Sequence, residues 1–138
     1  PPVHAPVVPL VLKRTLGGGS LVIQGDGRQT RDFVHIDDVV HALVAAASTE
    51  RAAGQVINVG SGVETSIDEL VRQVAVATGK HPAVIYNDAQ KGGVSRLVAD
   101  LTTARQVLGY QPKVSLGDGL TRLLKADPQF DRRRAIAV

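Results

Sequence analysis

The chain has 138 residues, 43% of them apolar, carries a net charge of +3 and contains no cysteine. That length and hydropathy predict one globular domain rather than a disordered tail, and the absence of thiols excludes disulfides and thiolate metal sites. No apolar run approaches the ~20 residues of a bilayer-crossing helix and no secretory signal is present, so the expected location is the cytoplasm, away from membranes. The chain opens Pro1-Pro2 and holds no methionine, which reads as a piece of a longer protein.

Four prolines among residues 1–9 favour an irregular lead-in. Val7 to Leu16 can form a short helix that Gly17-Gly18-Gly19 breaks. Leu21-Val22-Ile23 is β-prone and runs into the turn Gly25-Asp26-Gly27, so a hairpin-like pairing with Thr30 to Ile36 is expected. Asp37 then caps a helix with Asp38 in its first turn, where carboxylates suit the positive end of the dipole. Val39, Val40, Leu43, Val44 and Ala47 recur on it at helical spacing and require something to bury against. Gln55 to Val59 reads as a mostly apolar strand covered on both faces, the pattern of a parallel sheet.

Ser66-Ile67-Asp68-Glu69 has the form of a capping box, and its helix presents Ile67, Leu70, Val71 and Val74 before Gly79 stops it. Ala83 to Tyr86 is the next strand. Asp100 or Thr102 caps a helix ended by Gly109, and Ser115 caps a last one carrying Leu116, Leu120, Leu123 and Leu124. Strands alternating with four to five helices define an α/β fold.

The phosphate-binding glycine fingerprint is missing: Gly60-x-Gly62 lies between strand and helix but position 65 is Thr, and Gly25-x-Gly27 leads into a strand. A dinucleotide or anion site on the Gly60 to Ser66 turn, with Asp88 as the ribose acid, stands against a plain strand-to-helix turn. No Tyr-x-x-x-Lys pair is available as a base, because Tyr86 is followed at that spacing by Gln90 and Tyr110 by Val114. His35, Asp37, Asp38 and His41 fall within seven residues and could meet at a metal, although their places at a strand end and a helix start account for them without one. Arg31 leaves a short β segment beside a glycine turn, where its planar fork can take the paired oxygens of a diphosphate or form a salt bridge to Asp32 or Asp26. Arg132-Arg133-Arg134 gives a basic tail, but the aromatics that would support nucleic-acid binding are only Phe33, Phe130, Tyr86 and Tyr110, scattered along the chain.

The run Gly25-Asp26-Gly27-Arg28-Gln29-Thr30-Arg31-Asp32-Phe33-Val34-His35-Ile36-Asp37-Asp38-Val39 resembles the extended short-chain dehydrogenase/reductase family of NAD-dependent nucleotide-sugar epimerases and dehydratases, the group of UDP-glucose 4-epimerase. Ile57-Asn58-Val59-Gly60-Ser61-Gly62, Thr65-Ser66-Ile67, Val98-Ala99-Asp100-Leu101-Thr102 and Leu108-Gly109-Tyr110-Gln111-Pro112 agree with it in order and spacing, over about residues 7–125.

The resemblance implies the carboxy-terminal, substrate-binding part of such an enzyme, partly Rossmann-like, over residues 1–125, with the last strand of the sheet at 55–59 and a basic tail at 126–138. It implies that Arg31 grips the diphosphate of a UDP- or dTDP-sugar and that Val22, Ile23 and Gln24 line the nucleoside pocket. Where the family often carries an arginine followed three residues later by an acidic residue, this chain has Gln90 and Gly93, and Gln90 can still donate a hydrogen bond. NAD and the Tyr-x-x-x-Lys base that act in oxidation at C4 would belong to an amino-terminal half, so no cofactor and no catalysis are expected of this chain alone. The full-length protein is expected to be a homodimer with no nucleic-acid partner. The reading from another class is a non-catalytic anion- or nucleotide-binding module that uses the Gly60 to Ser66 turn.

Overall fold

A computed structural model describes residues 6–87 and 94–130. The fold is α/β: helices α1 (Val7–Gly17), α2 (Ile36–Ala47), α3 (Ile67–Thr78), α4 (Thr102–Leu108) and α5 (Leu116–Ala126) alternate with strands β1 (Ser20–Gln24), β2 (Thr30–Arg31), β3 (Thr65–Ser66) and β4 (Ala83–Asn87). β1 pairs with β4 and β2 with β3. Two compact units share the chain, one from the described residues of Pro1–Gln29, Ser66–Val94 and Gly117–Val138, the other from Thr30–Thr65 and Ser95–Leu116.

In the first unit α1 buries Val11 and Leu12, packs on α3, and ends as the triple glycine predicts, with Gly18 left-handed at φ 70°. α3 buries Ile67, Leu70, Val71, Val74 and Ala75 and closes at left-handed Gly79, so its apolar face and its stop are as expected. The capping box is only half made. Ser66 Oγ accepts from the amide of Glu69 at 3.1 Å, while the Glu69 carboxylate turns to Arg72 and to the Gln73 amide one turn on. Leu120 of α5 and Phe130 complete the buried set.

The expected hairpin does not form. β1 instead lies parallel to β4, with Val22 opposite Ile85 and Gln24 opposite Asn87. The cause lies in the turn: Gly25 and Gly27 have φ of 81° and 77°, and Asp26 Oδ1 accepts from the Arg28 amide at 3.0 Å. The carbonyls of Gly27 and Gln29 then accept from the first amides of α3, Asp68 and Ile67, both at 3.1 Å. The chain after β1 is thereby committed to a helix start and does not return along the strand.

The second unit is built round Ala42, Leu101, Ala104 and Tyr110, with Ile57, Val59, Ala99 and Leu108 against them. His35, not Asp37, caps α2: its Nδ1 accepts from the Asp37 amide at 3.1 Å, in the place a Ser or Asp oxygen usually takes. Asp38 is buried and its two oxygens accept from the amides of Lys113 and Val114, at 2.9 and 3.1 Å. Asp100 Oδ1 holds the amide and hydroxyl of Thr102 at the start of α4, which Gly109 ends.

The apolar stripe of α2 is largely uncovered: Val40, Leu43, Val44 and Ala47 are exposed, Leu43 to 65%, Val39 is half-buried, and Ile36 on the same helix is exposed as well. Gln55 to Val59 differs from its expected strand in the same way. It belongs to no ladder, Val56 is 93% exposed, and only Ile57 and Val59 pack inward. A strand exists through its neighbours' hydrogen bonds, and this segment has the alternation without the neighbours.

Candidate functional site

The alternation of β1 divides the three predicted nucleoside-pocket residues. Val22 and Gln24 are exposed, whereas Ile23 is buried with Leu21 in the core, so its side chain cannot line a pocket on the Val22 face. On that open face Ile85 stands opposite Val22, and Gln24 Oε1 accepts from Asn87 Nδ2 at 3.0 Å. The Gln24 carbonyl accepts from Gln29 Nε2 at 2.7 Å, and the Gly25 amide continues the ladder to the Asn87 carbonyl at 2.9 Å. The face thus joins two apolar side chains to a pair of fixed amides. On the opposite face Tyr86 donates to Asp68 at 3.0 Å, and the bond to that carboxylate raises its phenol pKa. Gln90 and Asp88 lie outside the described residues.

Arg31 occupies β2 in the second unit and is half-buried. Its Nη1 donates to the Thr30 carbonyl at 2.6 Å. Thr30 is fixed by its backbone to Ser95 and Leu97, at 2.9 and 3.2 Å, in a parallel bridge centred on Arg96. Its hydroxyl donates to Glu64 Oε1 and Arg96 Nε donates to Glu64 Oε2, each at 2.8 Å. The bond from Arg96, then that from Thr30, lowers the Glu64 pKa. Alternation directs the Arg31 side chain away from this Thr30–Glu64–Arg96 side of the strand.

Asp32 follows immediately, and its oxygens do not engage Arg31 as a simple salt bridge would suggest. They accept from the Ser61 amide at 2.7 Å, the Ser61 hydroxyl at 2.6 Å, the Gly62 amide at 3.0 Å and the Ala99 amide at 3.1 Å. Burial works to raise the Asp32 pKa, but the bonds from Ser61, Ala99 and Gly62 together outweigh it and the net shift is downward.

Those bonds bear on the glycine turn. The Ser61 and Gly62 amides are held by Asp32, the Val63 amide donates to Ser61 Oγ at 3.1 Å, and the first amides of α3 are taken by Gly27, Gln29 and Ser66. A dinucleotide or free anion needs such amides unoccupied. The Gly60 to Ser66 turn already holds an internal carboxylate, so its residues do not fit a dinucleotide and the binding-module reading loses its site.

Of the His35, Asp37, Asp38 and His41 set, His35 and Asp38 are spent on the fold through the bonds given above, and Asp37 and His41 are exposed. Among the described residues no group of three or more His, Asp or Glu side chains is placed to hold a metal ion, and no helix is long and apolar enough to cross a membrane. Sequence reasoning offered Asp32 only as a salt-bridge partner of Arg31 and missed Glu64, because the partners of both lie 29 to 67 residues away, beyond the reach of any local spacing rule.

Comparison with known proteins agrees with this architecture. A family model described as GDP-mannose 4,6 dehydratase matches residues 3–123. A UDP-glucose 4-epimerase of Mycolicibacterium smegmatis is 40% identical over 122 residues, 88% of this chain and 39% of that protein. The crystal structure of a UDP-glucose 4-epimerase from Thermotoga maritima with UDP-glucose has a TM-score of 0.82 at 33% identity, covering 97% of this chain and 42% of the other. The UDP-glucuronic acid 4-epimerase of Bacillus cereus, in complex with UDP-glucuronic acid and NAD, has a TM-score of 0.78 at 32% identity, with 93% and 40% covered. The chain therefore spans about two fifths of the length of these relatives. With the model match running through nearly the whole of it, this chain belongs to the GDP-mannose 4,6-dehydratase family of NAD-dependent epimerases and dehydratases, extended short-chain dehydrogenases/reductases whose carboxy-terminal part it matches.

Proposed function

We propose that this chain is the nucleotide-sugar-binding part of an NAD-dependent epimerase or dehydratase and is catalytically inactive by itself. The observation that carries the reading is Arg31, a planar cation on a β segment whose neighbours on both sides are fixed by hydrogen bonds, the presentation a diphosphate needs. Val22 and Gln24, with the backbone at Ile23, offer an apolar and amide-bearing strand face suited to a nucleoside, and Gln90 adds a donor. UDP- and dTDP-sugars are the substrate class, in keeping with the UDP-sugars bound by the relatives from Thermotoga maritima and Bacillus cereus.

In this reading residues 1–125 are the substrate-binding domain, 126–138 a basic tail, and Gln55 to Val59 the last strand of a sheet completed by the NAD-holding half. The whole protein acts as a cytoplasmic homodimer. NAD and the catalytic base belong to that other half in this reading, in keeping with the Ser61 and Gly62 amides being taken by Asp32.

Titration calorimetry with UDP-glucose tests the proposal. The expected result is weak binding that Arg31→Ala abolishes, with no epimerised or dehydrated product when the chain is incubated with NAD and UDP-sugars. Product formation, or binding indifferent to Arg31, would overturn it.

A further inference from the structure

We infer that Asp32 is a positioning residue for Arg31, an internal anion whose bonds hold the backbone beneath the diphosphate-binding side chain in place before any ligand arrives. The inference rests on the nucleotide-sugar reading above.

Arg31 stands between two carboxylate-centred clamps. On its amino-terminal side Glu64 ties the Thr30 hydroxyl to Arg96, an exposed network of the kind that adds little to stability. On its carboxy-terminal side Asp32 receives one hydroxyl and three backbone amides, which uses nearly the full acceptor capacity of a carboxylate. Three of these four donors belong to the Gly60–Gly62 turn and the fourth to Ala99. The fit is close: a Cβ on Gly60 would stand 2.5 Å from Asp32 Oδ2 and 2.6 Å from the Ala99 Cβ.

Fixing the Asp32 carboxylate at four points fixes its Cα, and with it the peptide that joins it to Arg31. The Thr30 ladder fixes the peptide on the other side. The arginine therefore enters binding with its backbone already ordered, and the remaining cost lies in its side chain, which exchanges its present bonds, that to the Thr30 carbonyl among them, for bonds to the ligand. The chain uses an anion hole not to receive the ligand but to stiffen the segment that does.

Asp32→Asn tests this, because it keeps size while turning one acceptor into a donor that faces amide donors. Affinity for UDP-glucose is measured for wild type, Asp32→Asn, Arg31→Ala and the double variant, with circular dichroism and thermal melts to establish folding. We expect Asp32→Asn to stay folded and to weaken binding about tenfold, as expected for lost preorganisation. In the Arg31→Ala background the same change should weaken binding no further, since Asp32 acts through Arg31. Should Asp32→Asn unfold, Ser61→Ala removes one of the four bonds, with an expected loss of roughly twofold to threefold that also vanishes in the Arg31→Ala background.

Wild-type affinity in folded Asp32→Asn, or in Ser61→Ala if that variant is needed, overturns the inference and leaves the nucleotide-sugar reading intact. Additive losses in the double variant overturn it as well, marking Asp32 as a general structural residue. No binding by wild type, or Arg31→Ala binding like wild type, removes the nucleotide-sugar reading and this inference with it.

Discussion

The phenolic hydroxyl of Tyr110 donates to the carbonyl oxygen of Gly60 at 2.7 Å, inside the core of the second unit. Burial, then the negative charges of Asp38 and Asp32, raises the Tyr110 pKa, so the hydroxyl keeps the proton it donates. Tyr110→Phe preserves the ring and strands the Gly60 carbonyl. The expected cost is about 1–3 kcal/mol, the penalty of one unsatisfied buried acceptor, read as a lower urea midpoint at unchanged slope.

Asp32 sets an acid limit. Its folded-state pKa is depressed, so the stability it contributes is present above its unfolded pKa and is lost as pH falls through the folded value. The window opens below about pH 4. Asp100 and Asp127 shift in the same direction through their bonds to Thr102 and Gln129 and behave alike in either background. Between wild type and Asp32→Asn the stability gap should therefore narrow as pH drops below about 4, measured by denaturant titration at each pH. A gap constant down to pH 2 contradicts the assignment.

Asp38 is a second buried carboxylate that binds backbone, here the amides of Lys113 and Val114. Asp38→Ala leaves both amides without their acceptor and opens a small void beside Ala42. We expect a loss of about 2–4 kcal/mol from calorimetric unfolding, larger than that of Tyr110→Phe because two donors are orphaned.

The uncovered face of α2 predicts association of the isolated chain. Ile36, Val40, Leu43 and Val44 form a row of exposed apolar side chains on one helix, and exposed Val56 adds to the apolar surface of the same unit. Light scattering should show self-association that rises with concentration, and Leu43→Lys with Val44→Glu should suppress it without loss of helix content. A monodisperse wild-type monomer that does not bind a hydrophobic dye is the contrary result.

Local features were legible in the sequence and distant ones were not. Ser66, the Leu70–Val74 face and Gly79 defined α3 because cap, stripe and stop all act within a few residues. The hairpin expectation failed because the carbonyls after the Gly25 turn are taken by the start of α3, and the partner that β1 takes instead, Ala83–Asn87, lies too far along the chain to be read locally. His35 was passed over as a cap because an imidazole nitrogen rarely takes that place. Arg31 could be singled out from its residue type beside a glycine turn, but the bonds of its neighbour Asp32 come from Ser61, Gly62 and Ala99, which no local pattern announces. The inward turn of the Ile23 side chain was not legible, because a run of three apolar residues does not reveal which parity faces the core.

The parallel pairing of β1 with β4 has a consequence for synthesis. Gln24 meets Asn87 only after 63 further residues have left the ribosome, and Leu120 and Phe130, buried in the same unit, come later still. A nascent chain must hold β1 unmatched while those 63 residues are made, exposed to chaperones and proteases. Shortened products that end before Phe130 should therefore be cleared rather than accumulate as partial folds.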